Sequence, residues 1–154
     1  QDIDLLSTRA KELAEELRVY LGDKFHIAVR VREVADGRGY RLYQIQKTGN
    51  RHLVDLRLVE SLPPSQRISQ VLVASPEELI ALKVISYHQR RGQPKSGTDW
   101  RDLAMLLLAF PELKRTDGLV VERLKAENAV GDVMNLWIDL VKQEIQSTDE
   151  DDEF

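Results

Sequence analysis

Apolar residues change their spacing twice along the chain, from a helical period to a strand period and back, and those changes set out its organisation. Ala10, Leu13, Ala14, Leu17, Tyr20 and Leu21 recur every three or four residues. That is the spacing of one helix face, with Ser7 or Thr8 placed to cap its start and Gly22 to stop it. From Phe25 the period is two: Phe25, Ile27, Val29 and Val31 alternate with His26, Ala28, Arg30 and Arg32, which predicts a half-buried strand. The turn-forming stretches 35–39 and 47–50 then delimit two further strands, Tyr40 to Gln46 and Arg51 to Val59. Three strands joined by glycine-containing turns predict an antiparallel meander, beside a short opening strand at Asp2 to Leu6.

Past Leu62-Pro63-Pro64 the pattern predicts a polar loop and a short β piece at Val71-Leu72-Val73. Ser75-Pro76-Glu77-Glu78 reads as a helix start, with Ser75 as N-cap, Pro76 in the first turn and Glu78 closing a capping box. That helix runs through Leu79, Leu82 and Ile85 to about Arg90. Thr98 is placed to cap a second one, which enters the run Leu103 to Phe110. Being apolar on every side, this run is expected in the middle of a helical subdomain. Two more helices fit 119–125 and 130–146. The fold class expected is α+β, a small mixed or antiparallel sheet flanked by helices with a C-terminal helical part. By segment, 1–61 is the sheet region, 62–74 a linking loop and short strand, 75–146 the helical region, and 147–154 an acidic tail expected to be disordered.

A chain of 154 residues can bury one core of ordinary size without staples. It contains no cysteine, so disulfides and thiolate metal sites are excluded. His26, His52 and His88 lack zinc-like spacing and read as structural or surface residues. The longest apolar run is too short to cross a bilayer, so no membrane partner is expected and the protein is predicted to be soluble and cytoplasmic. The formal charge of −4 is concentrated at the end, where Asp149 to Glu153 supply five carboxylates; without them 22 basic residues face 21 acidic ones. No broad basic face of the kind used in non-specific nucleic-acid binding follows from that balance. The chain begins with Gln and opens directly on a strand, so a preceding segment is expected.

Candidate chemistry begins with Asp2 and Asp4. Alternate strand residues leave the same face, so these carboxylates would project together, either as solvated aspartates on a strand edge or as ligands of Mg²⁺, which is held by one or two carboxylates plus substrate phosphates. Asp55 sits in mid-strand between Val54 and Leu56, where a carboxylate is disfavoured. It is either ion-paired with Arg57 or Arg30, or a third metal ligand facing Asp2 and Asp4. Lys83 and Arg90 are seven residues apart and share a helix stripe with Tyr87 between them. With Arg91, Lys95 and Arg101 they form the one local basic concentration, either a phosphate-neutralising group or a solvated helix face. Asp99 and Asp102 stand near the start of a helix, where acidic residues favour the helix dipole whatever else they do.

Taken in order, Asp2-Ile3-Asp4, Val54-Asp55-Leu56, the stretch Ser75 to Lys83, and Thr98-Asp99-Trp100-Arg101-Asp102-Leu103 resemble the bacterial nucleotidyltransferase superfamily, especially minimal members similar to the AbiEii-type toxins of abortive-infection systems. The resemblance covers most of residues 1 to about 110. It implies transfer of a nucleotidyl group from a nucleoside triphosphate to an acceptor such as tRNA, another RNA or a protein, with Mg²⁺ as cofactor. Carried onto this chain, Asp2 and Asp4 would be paired metal ligands, with Asp55 the third ligand, helping to activate the acceptor hydroxyl. Lys83 would face the triphosphate with Arg90 and Arg91 nearby, and Asp99 or Asp102 would be the acidic residue of the following helix. The family's glycine-containing phosphate turn has no counterpart in this chain and is expected upstream. The alternative is a catalytically silent module that binds a nucleotide or a protein, one half of a toxin–antitoxin pair with an antitoxin as partner.

Overall fold

A computed structural model describes residues 3–146, which divide between Leu62 and Pro63 into two units. The first holds strand β1 (Ile3–Ser7), helix α1 (Ala10–Phe25) and strands β2 (Val29–Val34), β3 (Gly39–Gln44) and β4 (Arg51–Leu58). The strands form one sheet in the order β1-β4-β3-β2. β2, β3 and β4 make the antiparallel meander, and β1 lies parallel to β4 at the edge. This sheet is therefore mixed. Ala10 and Ala14 of α1 pack on Tyr40, Leu42, Val54 and Leu56. The strand period puts these four apolar residues on one face, and small alanines on α1 let helix and sheet approach closely.

Two boundaries in this unit differ from the sequence pattern. Helix α1 runs through Gly22 and ends three residues later, with His26 in the left-handed conformation at φ 51°. A single interior glycine costs a helix about 1 kcal/mol, and Leu17 and Leu21 keep packing on the sheet. A Cβ at Gly22 would meet the Ile27 carbonyl oxygen at 3.4 Å, an ordinary contact, so the position tolerates glycine without requiring it. Phe25 is consequently an exposed helical residue, not the first residue of a strand. Ser7 acts just ahead of the helix, its Oγ accepting from the Arg9 amide at 3.1 Å.

The second unit opens with a hairpin of β5 (Ser65–Ile68) and β6 (Val71–Ala74) where the pattern suggested a loop before a single strand. Helices α2 (Pro76–Gln89), α3 (Ser96–Ala109), α4 (Leu119–Ala126) and α5 (Asp132–Lys142) follow, with a 3-10 turn at Pro111–Leu113. Their core gathers Ile80, Ala81 and Val84 of α2, Leu103 and Leu107 of α3, Leu124 of α4, and Leu136, Trp137 and Leu140 of α5. Trp137 is fully buried, and its indole N–H donates to the Arg115 carbonyl at 2.9 Å.

Glu78 does not close a capping box. It is buried among these helices and accepts from Arg123 Nε at 2.5 Å, while the Ser75 hydroxyl makes no cap bond. An arginine supplied by α4 satisfies the buried carboxylate with a charge-assisted bond, which outweighs a neutral cap. The apolar run in α3 is buried on one stripe only: Leu103 and Leu107 face inward, whereas Met105 and Leu108 are exposed. No helix among the described residues is long and apolar enough to cross a membrane.

Candidate functional site

The face of the sheet turned away from α1 carries the polar chemistry of the first unit. Register alone assembles a row across it: Asp4 on β1 is the Cα partner of Asp55 on β4, Asp55 is the partner of Arg41 on β3, and Arg41 is the partner of Arg32 on β2. Residues opposite one another in register leave the same face. The row reads two carboxylates followed by two guanidinium groups. Asp2 lies outside the described residues, as does the acidic segment 147–154.

Asp55 is held from two directions. Its Oδ1 is 3.0 Å from Arg41 Nε and 3.0 Å from His52 Nε2. His52 stands three residues before Asp55, a spacing that would put it on the opposite face of a regular strand. The register slips between Leu42 and Tyr43, so that Leu42 faces Val54 while Tyr43 faces His52. Leu53 is thus the extra residue of a β-bulge, and the bulge turns His52 to the Asp55 side. Tyr43 lies against the His52 ring with centroids 5.2 Å apart. The charge of Asp55 raises the pKa of Arg41 above its ordinary value.

Arg57 and Arg30, the partners expected for Asp55, are not the ones it takes. Arg57 is two residues along the same strand, about 7 Å away, and Arg30 pairs in register with Tyr43 on β3, two strands from β4. Arg41 is directly opposite at cross-strand distance. Arg41 and His52 are the site residues that the sequence pattern missed. Arg41 reaches Asp55 through the register of β3 on β4, which the connection at 45–50 and the bulge set together; the bulge, which also delivers His52, left no mark in the pattern.

Asp4 and Asp55 offer hard carboxylate oxygens on neighbouring strands. Among the described residues no three histidine or acidic side chains converge to hold a metal ion. Mg²⁺ asks for less than that, since one or two carboxylates suffice when water and substrate phosphates complete its shell. The donor pair fits such an ion in number and chemistry.

In the second unit, the stripe of α2 that carries Lys83 and Arg90 faces α3. Lys83 Nζ donates to Asp102 Oδ2 at 2.8 Å, Arg90 Nη1 donates to both oxygens of Asp99 at 2.8 and 2.9 Å, and Tyr87 meets Trp100 with ring centroids 5.9 Å apart. Moving forward along α2, these contacts move backward along α3, so the helices run antiparallel here. The stripe is a seam between two helices and not a solvated face. Asp99 is buried. Asp102 titrates below its ordinary value, first because Lys83 donates to it, with Arg101 adding a lesser contribution. Arg91 and Lys95 are exposed on the connection between the helices. A shallow depression between Arg18–Asp23 of α1 and Ile27–Val29 contains none of the candidate residues.

Residues 1–153 match a family model described as nucleotidyl transferase AbiEii toxin, type IV TA system. A solved structure of an antigenic nucleotidyltransferase-like protein from Paracoccidioides brasiliensis is similar at 17% identity and a TM-score of 0.37, over 88% of this chain and 74% of that one. No curated protein matches the chain.

Proposed function

This chain belongs to the AbiEii family of nucleotidyl transferase toxins from type IV toxin–antitoxin systems, and on that premise we propose that it transfers a nucleotidyl group from a nucleoside triphosphate, with Asp4 and Asp55 as the carboxylates that hold Mg²⁺. The observation carrying this reading is the register that sets Asp4 beside Asp55 on the open sheet face. Opposed like charges destabilise a sheet, and a divalent cation between them would reverse that cost. Asp2 is assigned to the same ion by the family resemblance.

In the proposed reaction the oxygen of an acceptor hydroxyl attacks the α-phosphorus and its proton passes to solvent, the bond from that phosphorus to the bridging oxygen breaks, and pyrophosphate leaves. Bound Mg²⁺ would supply neutralisation of the phosphate oxygens. Asp55 would also orient the acceptor hydroxyl, with His52 Nε2 at its Oδ1 helping to fix its rotamer. In the second unit the family resemblance assigns Lys83, whose Nζ donates to Asp102, a role toward phosphate. Arg91 is exposed and available to phosphate, whereas Arg90 is already clasped by Asp99; Asp99 and Asp102 act by positioning these cations. The acceptor is proposed to be tRNA, another RNA or a protein, and an antitoxin is proposed as partner.

Incubation with each labelled nucleoside triphosphate and a mixture of cellular RNA and protein tests the proposal. Label should appear in a macromolecular product in the presence of Mg²⁺ and pyrophosphate should be released. Asp4→Asn and Asp55→Asn should each lower incorporation by at least the ~100-fold that loss of an outer-shell partner of a metal can reach. Incorporation unchanged in both variants would remove Asp4 and Asp55 from the reaction.

One observation favours a second reading, a silent binding module: Asp55 is already neutralised by Arg41 and bonded to His52. Calorimetry of nucleotide binding separates the two, because a silent module loses little affinity when Mg²⁺ is chelated.

A further inference from the structure

We propose that Arg41 is a resident counter-cation of Asp55, holding the place of a divalent ion until one binds, so that it sets the affinity of the carboxylate pair for metal. The inference rests on the reading of Asp4 and Asp55 as a cation site and adds a residue that opposes loading. In the row Asp4, Asp55, Arg41, Arg32, Asp55 has a negative neighbour on one side and a positive one on the other. Its Oδ1 is shared by Arg41 and His52. A cation drawn in by both carboxylates must compete with the Arg41 guanidinium for Asp55.

Exposure decides whether that competition can be won. The side chain of Arg41 is 48% exposed and that of Asp55 32% exposed, so this is a surface ion pair, and such pairs are weak. A divalent ion shared by two carboxylates outcompetes one exposed guanidinium, and a long flexible side chain can withdraw into water. Arg32 beside Arg41 makes withdrawal easier, since the two like charges repel each other once Asp55 no longer neutralises one. The released guanidinium remains next to the carboxylate row, where it can meet a phosphate oxygen in its fork geometry.

Mn²⁺ binding to the full chain without nucleotide, measured by calorimetry or by electron paramagnetic resonance of free ion, tests this without recourse to activity. Arg41→Gln should tighten binding by about two- to fivefold, the range that a surface ion pair supplies, and Arg41→Lys should change it less. Arg30→Gln serves as the control, because it removes the same charge from the same face two strands from Asp55 and should leave affinity nearly as in the parent. Equal tightening in Arg30→Gln and Arg41→Gln would overturn the inference in favour of a general field effect. So would unchanged affinity in Arg41→Gln, if Asp55→Asn still abolishes binding; the carboxylate site then stands without an Arg41 role. Binding that neither Asp4→Asn nor Asp55→Asn weakens would remove the cation site, and the inference with it.

Discussion

Lys83 on α2 and Asp102 on α3 meet at 2.8 Å, and their bond joins the two helices that carry three of the candidate residues, Lys83, Asp99 and Asp102. Each side chain is about a third exposed, so the pair contributes a modest 0.5–1 kcal/mol or so. The bond lowers the Asp102 pKa, which means that the folded protein resists protonating this group more than the unfolded chain does. The contribution is therefore complete above the ordinary aspartate pKa of about 3.9 and disappears as pH falls through the lower folded value. Asp102→Asn should be less stable than the parent at pH 7, and the difference should close below about pH 4. Denaturant titrations at several pH values, read by tryptophan fluorescence, check this. Both tryptophans, Trp100 and Trp137, lie in the second unit, so the signal reports that unit alone.

Glu78 and Arg123 should behave differently from that surface pair. The Glu78 side chain is 2% exposed and Arg123 is 22% exposed. Arg123→Met leaves a buried carboxylate without its cation, which costs about 3–5 kcal/mol. Glu78→Gln with Arg123→Met removes both charges and should recover a large part of that loss. Fluorescence-monitored unfolding of the two single variants and the double variant gives the coupling. A double variant as unstable as Arg123→Met alone would mean that packing, not charge, sets the cost.

Trp137 offers a check on the helical core. Trp137→Phe removes the donor to the Arg115 carbonyl and leaves space in the core, so unfolding should cost about 1–3 kcal/mol less. The loss should be confined to the second unit. Amide exchange in β3 and β4 is expected to stay at the parent rate.

Residues whose environment follows from near neighbours could be read from sequence. The alternation along β4 separates Val54 and Leu56 from Asp55, and the structure buries the Val54 and Leu56 face. The meander followed from turn positions, whereas the direction of the opening strand, parallel to β4, did not. Legibility failed where a distant residue decided the outcome. Ser75 and Glu78 have the spacing of a capping box, but Arg123, 45 residues away, takes the carboxylate. Lys83 and Arg90 form a basic stripe on paper, and only the return of α3 shows that each has an acidic partner. The bulge at Leu53 shifts His52 across the sheet with no turn residue to announce it. Asp55 illustrates both sides: its face was readable, while its partners depended on the register of β3.

The last prediction separates Asp4 from Asp55 by the sign of their effects on stability. Asp4 stands opposite a like charge, and opposed charges on adjacent strands destabilise by about 0.2–1 kcal/mol. Asp4→Asn relieves this and should slow amide exchange in β1 and β4. Asp55→Asn also ends the repulsion, but it breaks the ion pair with Arg41 and leaves Arg41 and Arg32 opposed without a neutralising neighbour. Exchange in β3 and β4 should therefore quicken. Both effects should shrink with added salt, because the groups are partly exposed and screening acts over about 10 Å at 0.1 M. Exchange measured by mass spectrometry on the metal-free protein, beside nucleotide incorporation on the same preparations, gives the decisive pairing. A variant that gains sheet stability and loses transfer identifies Asp4 as a residue kept for chemistry at a cost to the fold, a trade-off common at functional sites. An Asp4→Asn protein that loses stability would instead show Asp4 supporting the sheet through a contact other than a bound cation.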